Sequence, residues 1–232
     1  RIRLALIGNV VETGIGMVDG LVKLKSDHLG LEIAPLGAEM QRLTDRDGRD
    51  LLWNGDAAFW TGRAPLLFPI VGRLPGDQLV HEGVAYPMSQ HGFARRRVFA
   101  LEEATSSSAR FALHADEETR KQYPFDFALK VAYTLLDATL TIEATISNPG
   151  TVPLPASFGF HPAFRWPLPY EGKRADHRLI FEKAETDPIH RLAGGLLSTA
   201  TEPNPAVDAI FAPDDGLFER DAMIFLNQRS HH

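Results

Sequence analysis

The chain of 232 residues is 44% hydrophobic and carries 24 Lys and Arg against 30 Asp and Glu, a net charge of −6, with no Cys. That is long enough for one domain with a substantial core, and the mixed, mildly acidic charge leaves no electrostatic footprint for nucleic acid or an anionic membrane. Without Cys there is no disulfide framework, thiolate nucleophile or Cys-ligated metal, which fits a reducing, cytoplasmic setting, and no apolar run approaches the roughly 18 residues needed to cross a bilayer.

Arg1 cannot initiate translation, and residues 1–7 only superficially resemble the start of a signal peptide, because the apolar run stops at Gly8-Asn9 with no clean cleavage site after it. Met17 reads as the native start. Residues 1–20 are therefore expected to be a non-native or disordered leader, 21–228 a single domain, and 229–232 (Arg229-Ser230-His231-His232) the remnant of a tag whose histidines stay out of any metal argument.

From Leu21 the pattern is two-periodic. Leu29, Leu31 and Ile33 alternate with Gly30, Glu32 and Ala34 until Pro35 and Gly37 break the run, and the polar stretch 44–50, with Asp47-Gly48 inside it, signals a hairpin. Leu51-Leu52-Trp53 reads as a brief strand, and 54–68 holds too many Gly and Pro for a long helix. Segment 68–74 is apolar apart from Arg73, which places that arginine at the end of a buried stretch, where a salt bridge or a solvated strand end is its ordinary role. Glu82-Gly83 and Tyr86-Pro87 bracket a short strand before His91.

Strands are expected over 98–101 and 109–113, and a short helix over 116–122, closed by Tyr123-Pro124. The strongest periodicity follows. Leu129, Val131, Tyr133 and Leu135, then Leu140, Ile142, Ala144 and Ile146, alternate with mostly polar residues, as in a β-meander with one wet face. After the turn at 147–150, the apolar run 156–160 ends at His161-Pro162, so the chain leaves its sheet at a histidine, the kind of strand end where sandwiches carry sites. Strands at 179–181 and 222–226 are expected to be joined by long loops, 193–213 among them. The class is all-β.

Gln90-His91-Gly92-Phe93-Ala94-Arg95 combines a titratable ring, a permissive Gly and a guanidinium, and makes His91 the first candidate for chemistry, with His161 as the second. They stand too far apart for a local metal motif, so only the fold could join them. His28, His81, His114, His177 and His190 lie in polar surroundings and are expected at the surface. No Gly-x-Ser-x-Gly and no Gly-rich strand-to-helix loop is present, which argues against a hydrolase nucleophile and against nucleotide chemistry. A cupin-like metal site on His91 and His161 lacks a clustered third ligand.

Four ordered motifs carry a resemblance. Phe68-Pro69-Ile70-Val71-Gly72-Arg73-Leu74, Gln90-His91-Gly92-Phe93-Ala94-Arg95, Tyr123-Pro124-Phe125 and Phe158-Gly159-Phe160-His161-Pro162-Ala163-Phe164 resemble the aldose 1-epimerase (galactose mutarotase-like) family, in its bacterial branch with His-Gly-Phe-Ala-Arg and Gly-Phe-His-Pro. The resemblance implies a large antiparallel β-sandwich of the galactose mutarotase type that interconverts the α and β anomers of a hexose by acid/base ring opening, with no metal or organic cofactor. It implies that Arg73 hydrogen-bonds sugar hydroxyls, that His91 holds the pyranose, that His161 is the general acid at the ring oxygen, and that Asp221 contacts substrate. A His with an ordinary pKa near 6.5 suits the acid role.

The family base is a Glu near the C-terminus, expected beyond the end of this chain; Glu202-Pro203 precedes the 222–226 segment and is not its match. The sandwich is therefore expected to lack its last strands and catalytic carboxylate, to turn over slowly, and to form dimers or aggregates through open edges. Two rivals keep the same fold. One is a sugar-phosphate epimerase using Arg95-Arg96-Arg97, of which at most Arg95 and Arg97 would share one face of a strand. The other is a non-catalytic sugar-binding module.

Overall fold

The computed structural model describes residues 2–3, 20–206 and 208–230, so that the expected leader, apart from residues 2, 3 and 20, and His231 and His232 lie outside the described residues. Within the span read as one domain, the chain gathers into two compact units, Arg1–Arg165 and Trp166–His232.

The first unit contains β1 (Ile2–Arg3), β2 (Val22–Lys25), β3 (Leu29–Ala34), β4 (Glu39–Asp45), β5 (Leu66–Leu67), β6 (Gln78–His81), β7 (Val84–Pro87), β8 (Ala100–Ala104), β9 (Ser108–His114), α1 (Glu117–Arg120), β10 (Ala128–Leu136), β11 (Thr139–Ser147) and β12 (Gly159–Phe160). The layer β2-β3-β4 is antiparallel. The second layer runs β1-β11-β10-β9-β8, antiparallel except for β1, which lies parallel to Leu140 and Thr141 of β11. The expected alternation is realised: Leu31 and Ile33 from one layer and Leu129, Val131 and Tyr133 from the other point inward and are essentially shielded from solvent, the arrangement that two facing half-apolar sheets require. Tyr133 carries its hydroxyl across the gap to donate to the Ala38 carbonyl at 2.7 Å. The result is a β-sandwich.

The β3–β4 hairpin closes at Pro35 to Ala38, where the Ala38 N–H donates to the Pro35 carbonyl. The hairpin expected over 44–50 also forms: the Asp45 N–H donates to the Arg49 carbonyl at 3.1 Å and the Leu51 N–H to the Leu43 carbonyl at 2.8 Å beside the Thr44–Asp50 bridge, and the Asp45 carboxylate accepts from the Asp47 and Arg49 N–H groups. Two local expectations shift. The brief strand at 51–53 reduces to a single bridge, Leu52 to Phe164. The helix is one turn long, capped reciprocally by Asp116 and Thr119.

The second unit contains β13 (Leu179–Ile180), β14 (Ile189–Ala193), β15 (Leu196–Glu202), β16 (Ile210–Phe211) and α2 (Asp215–Phe218). Part of the 193–213 stretch, expected to be loop, forms β15. It pairs with β14 through Gly194 and Gly195, both at positive φ, as a two-residue hairpin turn needs. The 222–226 segment forms one bridge, Ile224 to His190, instead of a strand. Near its end, the Arg229 and Ser230 N–H groups both donate to the carboxylate of the shielded Glu185 at 2.9 Å. Among the described residues no helix is long and apolar enough to cross a membrane.

Candidate active site

Strand β5 and the residues just after it assemble the site. The Phe68 carbonyl accepts from the Phe93 and Ala94 N–H groups at 3.0 and 3.1 Å, which clamps the 90–97 segment against the end of β5. Gly92 sits inside this clamp at φ +69, and a Cβ there would lie 2.2 Å from the Phe68 carbonyl oxygen. Only glycine fits so close an approach. One residue earlier, His91 also has positive φ, +64, a conformation that non-glycine residues adopt only when their surroundings hold them there.

The holding contacts are reciprocal. The His91 N–H donates to the Gly72 carbonyl at 2.7 Å, and the Gly72 N–H donates to His91 Nδ1 at 3.0 Å. A backbone N–H can only donate, so Nδ1 is the unprotonated nitrogen of the neutral ring and Nε2 carries the hydrogen. His91 therefore presents a fixed N–H donor.

β5 also recruits the second histidine. Leu66 pairs with Phe160 in the β5–β12 ladder, and the His161 N–H donates to the Pro65 carbonyl at 3.2 Å. The His91 and His161 rings come to 5.8 Å between centroids, with planes at 61°. His161 is the more exposed of the two, and among the described residues its ring nitrogens make no hydrogen bond. The Trp60 ring also lies close to that of His161, at 5.2 Å between centroids and 40°.

Burial lowers both pKa values first. The Arg95 guanidinium then lowers both further, and His161 adds to the effect on His91. Arg95 supplies the guanidinium of the 90–95 motif. Its Nη2 donates to the Gln90 carbonyl at 2.9 Å, while its Nε is buried without a partner. Residues Ala94–Arg96 form a 3₁₀ turn rather than a strand, so alternation does not govern where the arginines point. Arg96 donates to Ser89 Oγ at 2.7 Å and Arg97 pairs with Asp116; Arg95 and Arg97 share no face.

The remaining candidates fall as follows. Arg73, directly after the Gly72 that holds His91, forms an exposed bidentate pair with Asp77, through Nε at 2.6 Å and Nη2 at 2.5 Å. Asp221 belongs to the second unit, at φ +66, and its carboxylate accepts from the Ala222 N–H at 2.7 Å. Glu202, also in that unit, accepts from Arg191 and Arg220, and its pKa is lowered despite burial that opposes the shift. Of the histidines expected at the surface, His28 and His114 are exposed, but His81 packs on Phe125 at 4.6 Å, His177 Nε2 accepts from the Leu168 N–H, and His190 Nδ1 meets the Ser198 carbonyl. Among the described residues no group of three or more His, Asp or Glu side chains is placed to hold a metal ion.

Comparison with known proteins gives a consistent picture. A family model described as aldose 1-epimerase matches residues 20–200. Plasmid-encoded protein LacX of Lactococcus lactis subsp. lactis is 33% identical over 174 residues, which cover 72% of this chain and 58% of LacX. The chain thus spans less than two thirds of the LacX length. Among solved structures, a galactose mutarotase related enzyme from Lactobacillus acidophilus has a TM-score of 0.79 at 29% identity, over 88% of this chain and 68% of its own. A galactose mutarotase-like protein from Lactobacillus casei ATCC 334 has a TM-score of 0.71 at 34% identity, over 80% and 64%.

Proposed function

Because this chain belongs to the aldose 1-epimerase family, we propose that it binds an unphosphorylated hexose and interconverts its anomers, with His161 as the general acid and His91 as the group that orients the sugar. The observation that supports this division most directly is the Gly72–His91 tie. It makes His91 a fixed hydrogen-bond donor, suited to a sugar oxygen, and leaves the unbonded ring of His161 to carry the proton. Opening a hemiacetal requires a proton at the ring oxygen as another leaves the anomeric hydroxyl. His161, with its pKa lowered, surrenders a proton more readily than an ordinary histidine. Arg73, whose Nη1 remains outside the Asp77 pair, is assigned to sugar hydroxyls.

The base is not assigned to Glu202. Two arginines hold that carboxylate ionised and neutralised, the opposite of the raised pKa that a general base near neutral pH needs. Polarimetry of freshly dissolved α-D-galactose and α-D-glucose tests the proposal: rate enhancement should fall about 10²–10⁴-fold in His161→Gln. Enhancement unchanged in that variant would refute the acid assignment, and calorimetric sugar binding with no enhancement in a chain carrying its full C-terminus would favour a binding module. The Arg95 guanidinium, whose charge acts on both histidines, supports a second reading, an epimerase for sugar phosphates, which a comparison of glucose with glucose 6-phosphate would separate from the first.

A further inference from the structure

The segment between Trp53 and Leu66 belongs to no strand, yet it is closely tied down. The Trp53 indole N–H donates to the Trp60 carbonyl at 2.8 Å, and the Trp60 N–H donates to the Asp56 carbonyl at 2.9 Å. Arg63 reaches Gln41 Oε1 and the Asn54 carbonyl, both at 2.7 Å, while Glu39 Oε1 accepts from the Arg63 and Ala64 N–H groups at 2.7 and 2.9 Å. Gly62 gives the indole its seat, since a Cβ there would lie 2.5 Å from Trp60 Cζ2. So many ties on an irregular segment hold one ring against His161.

Trp60 does not behave as a core residue. It stays partly exposed, its neighbour Phe59 is 81% exposed, and its Nε1 has no hydrogen-bond partner among the described residues. An indole that is partly exposed, with its N–H unbonded, is a large amphipathic surface of the kind that lines ligand sites. We propose that Trp60 is a substrate-positioning residue: its face carries the apolar side of the pyranose beside His161, and its Nε1–H serves a hydroxyl of the same sugar. The inference rests on the sugar-binding reading above and adds a residue that confers ring-face selectivity.

The test is hexose binding, read by calorimetry and by tryptophan fluorescence with D-galactose and D-glucose as probes. Trp60→Ala should weaken binding about tenfold and Trp60→Phe, which keeps an aromatic face, by no more than about threefold. The sugar-dependent fluorescence change of the parent chain should disappear in Trp60→Phe. A natively folded Trp60→Ala that binds hexose as tightly as the parent would overturn the inference while leaving the sugar-binding reading intact. Failure of the parent itself to bind any hexose would overturn both. If Trp60→Ala does not fold, Trp60→Phe decides: a fluorescence response that persists there means the indole does not meet the sugar. A purely structural role predicts a lower melting temperature at unchanged affinity, which likewise counts against the proposal.

Discussion

Replacing Gly92 by Ala asks the clamp behind the site to accept one methyl group. The new Cβ would lie 2.2 Å from the Phe68 carbonyl oxygen, 2.5 Å from its carbon and 2.7 Å from Pro69 Cδ. None of these atoms ends a flexible side chain. Phe68 is fully buried, and its carbonyl oxygen is the acceptor for Phe93 and Ala94. Relief therefore means moving β5 or losing those hydrogen bonds. Left-handed backbone in a residue with a Cβ costs about 1–2 kcal/mol, and overpacking a tight site costs about 1–3 kcal/mol more, so destabilisation of about 2–5 kcal/mol is expected. Gly48→Ala is the internal control, because Gly48 has φ +81 and open space around it; only the backbone contribution applies there. Urea denaturation followed by circular dichroism should place Gly92→Ala well below Gly48→Ala. Equal losses in the two variants would refute the steric argument, and with it the claim that the clamp positions His91.

Further variants probe the ring ties and the charge. His91→Phe strands the Gly72 N–H and should cost about 1–3 kcal/mol, whereas His91→Asn offers an oxygen near the Nδ1 position and should cost less; equal melting temperatures would contradict the tie. Tyr133→Phe leaves the buried Ala38 carbonyl unsatisfied and should cost about 1–3 kcal/mol in urea denaturation, a neutral result showing that the cross-layer bond is not needed. Acid sensitivity follows from the histidines. Both native pKa values are lowered, so on acidification below about pH 6.5 the unfolded chain takes up protons that the native chain refuses, and stability falls. The double variant His91→Asn, His161→Gln should flatten this loss between pH 7 and 5, and an unchanged slope in thermal melts would show that the pair is not its source.

Much of the architecture was legible because period-two alternation states which side of a strand is buried. Residues 129–135 and 140–146 needed no further information. Alternation says nothing about which strand lies alongside. That is why 222–226, strand-like in pattern, ends as a single bridge to His190, and why the two-residue β5, too short to show any period, was invisible as the strand that organises the site. The Gly194-Gly195 hairpin was readable, two glycines between strand-like runs being a turn signal, but the prolines downstream outweighed it. At the site, the motifs named His91, Arg95 and His161, while the contact of Trp60 with His161 was hidden, because a loop without periodicity delivers it.

In sequence both histidines sit in family-like motifs, and the difference between them in the structure is a single backbone N–H. Neutral His91 already holds its hydrogen on Nε2, so it can gain a proton only at Nδ1. That would destroy the bond from Gly72 and set one N–H against another, adding to the disfavour from burial and from Arg95. His161 carries no such restriction and is more open to solvent, so its proton can be replenished after each transfer. In the proposed reaction the residue most tightly fixed is thus the least able to act as an acid, and the acid is the one left unbonded. Under that proposal, orientation falls to His91 and proton delivery to His161, and exchanging their roles by swapping neighbouring residues would fail unless Gly72 were moved as well.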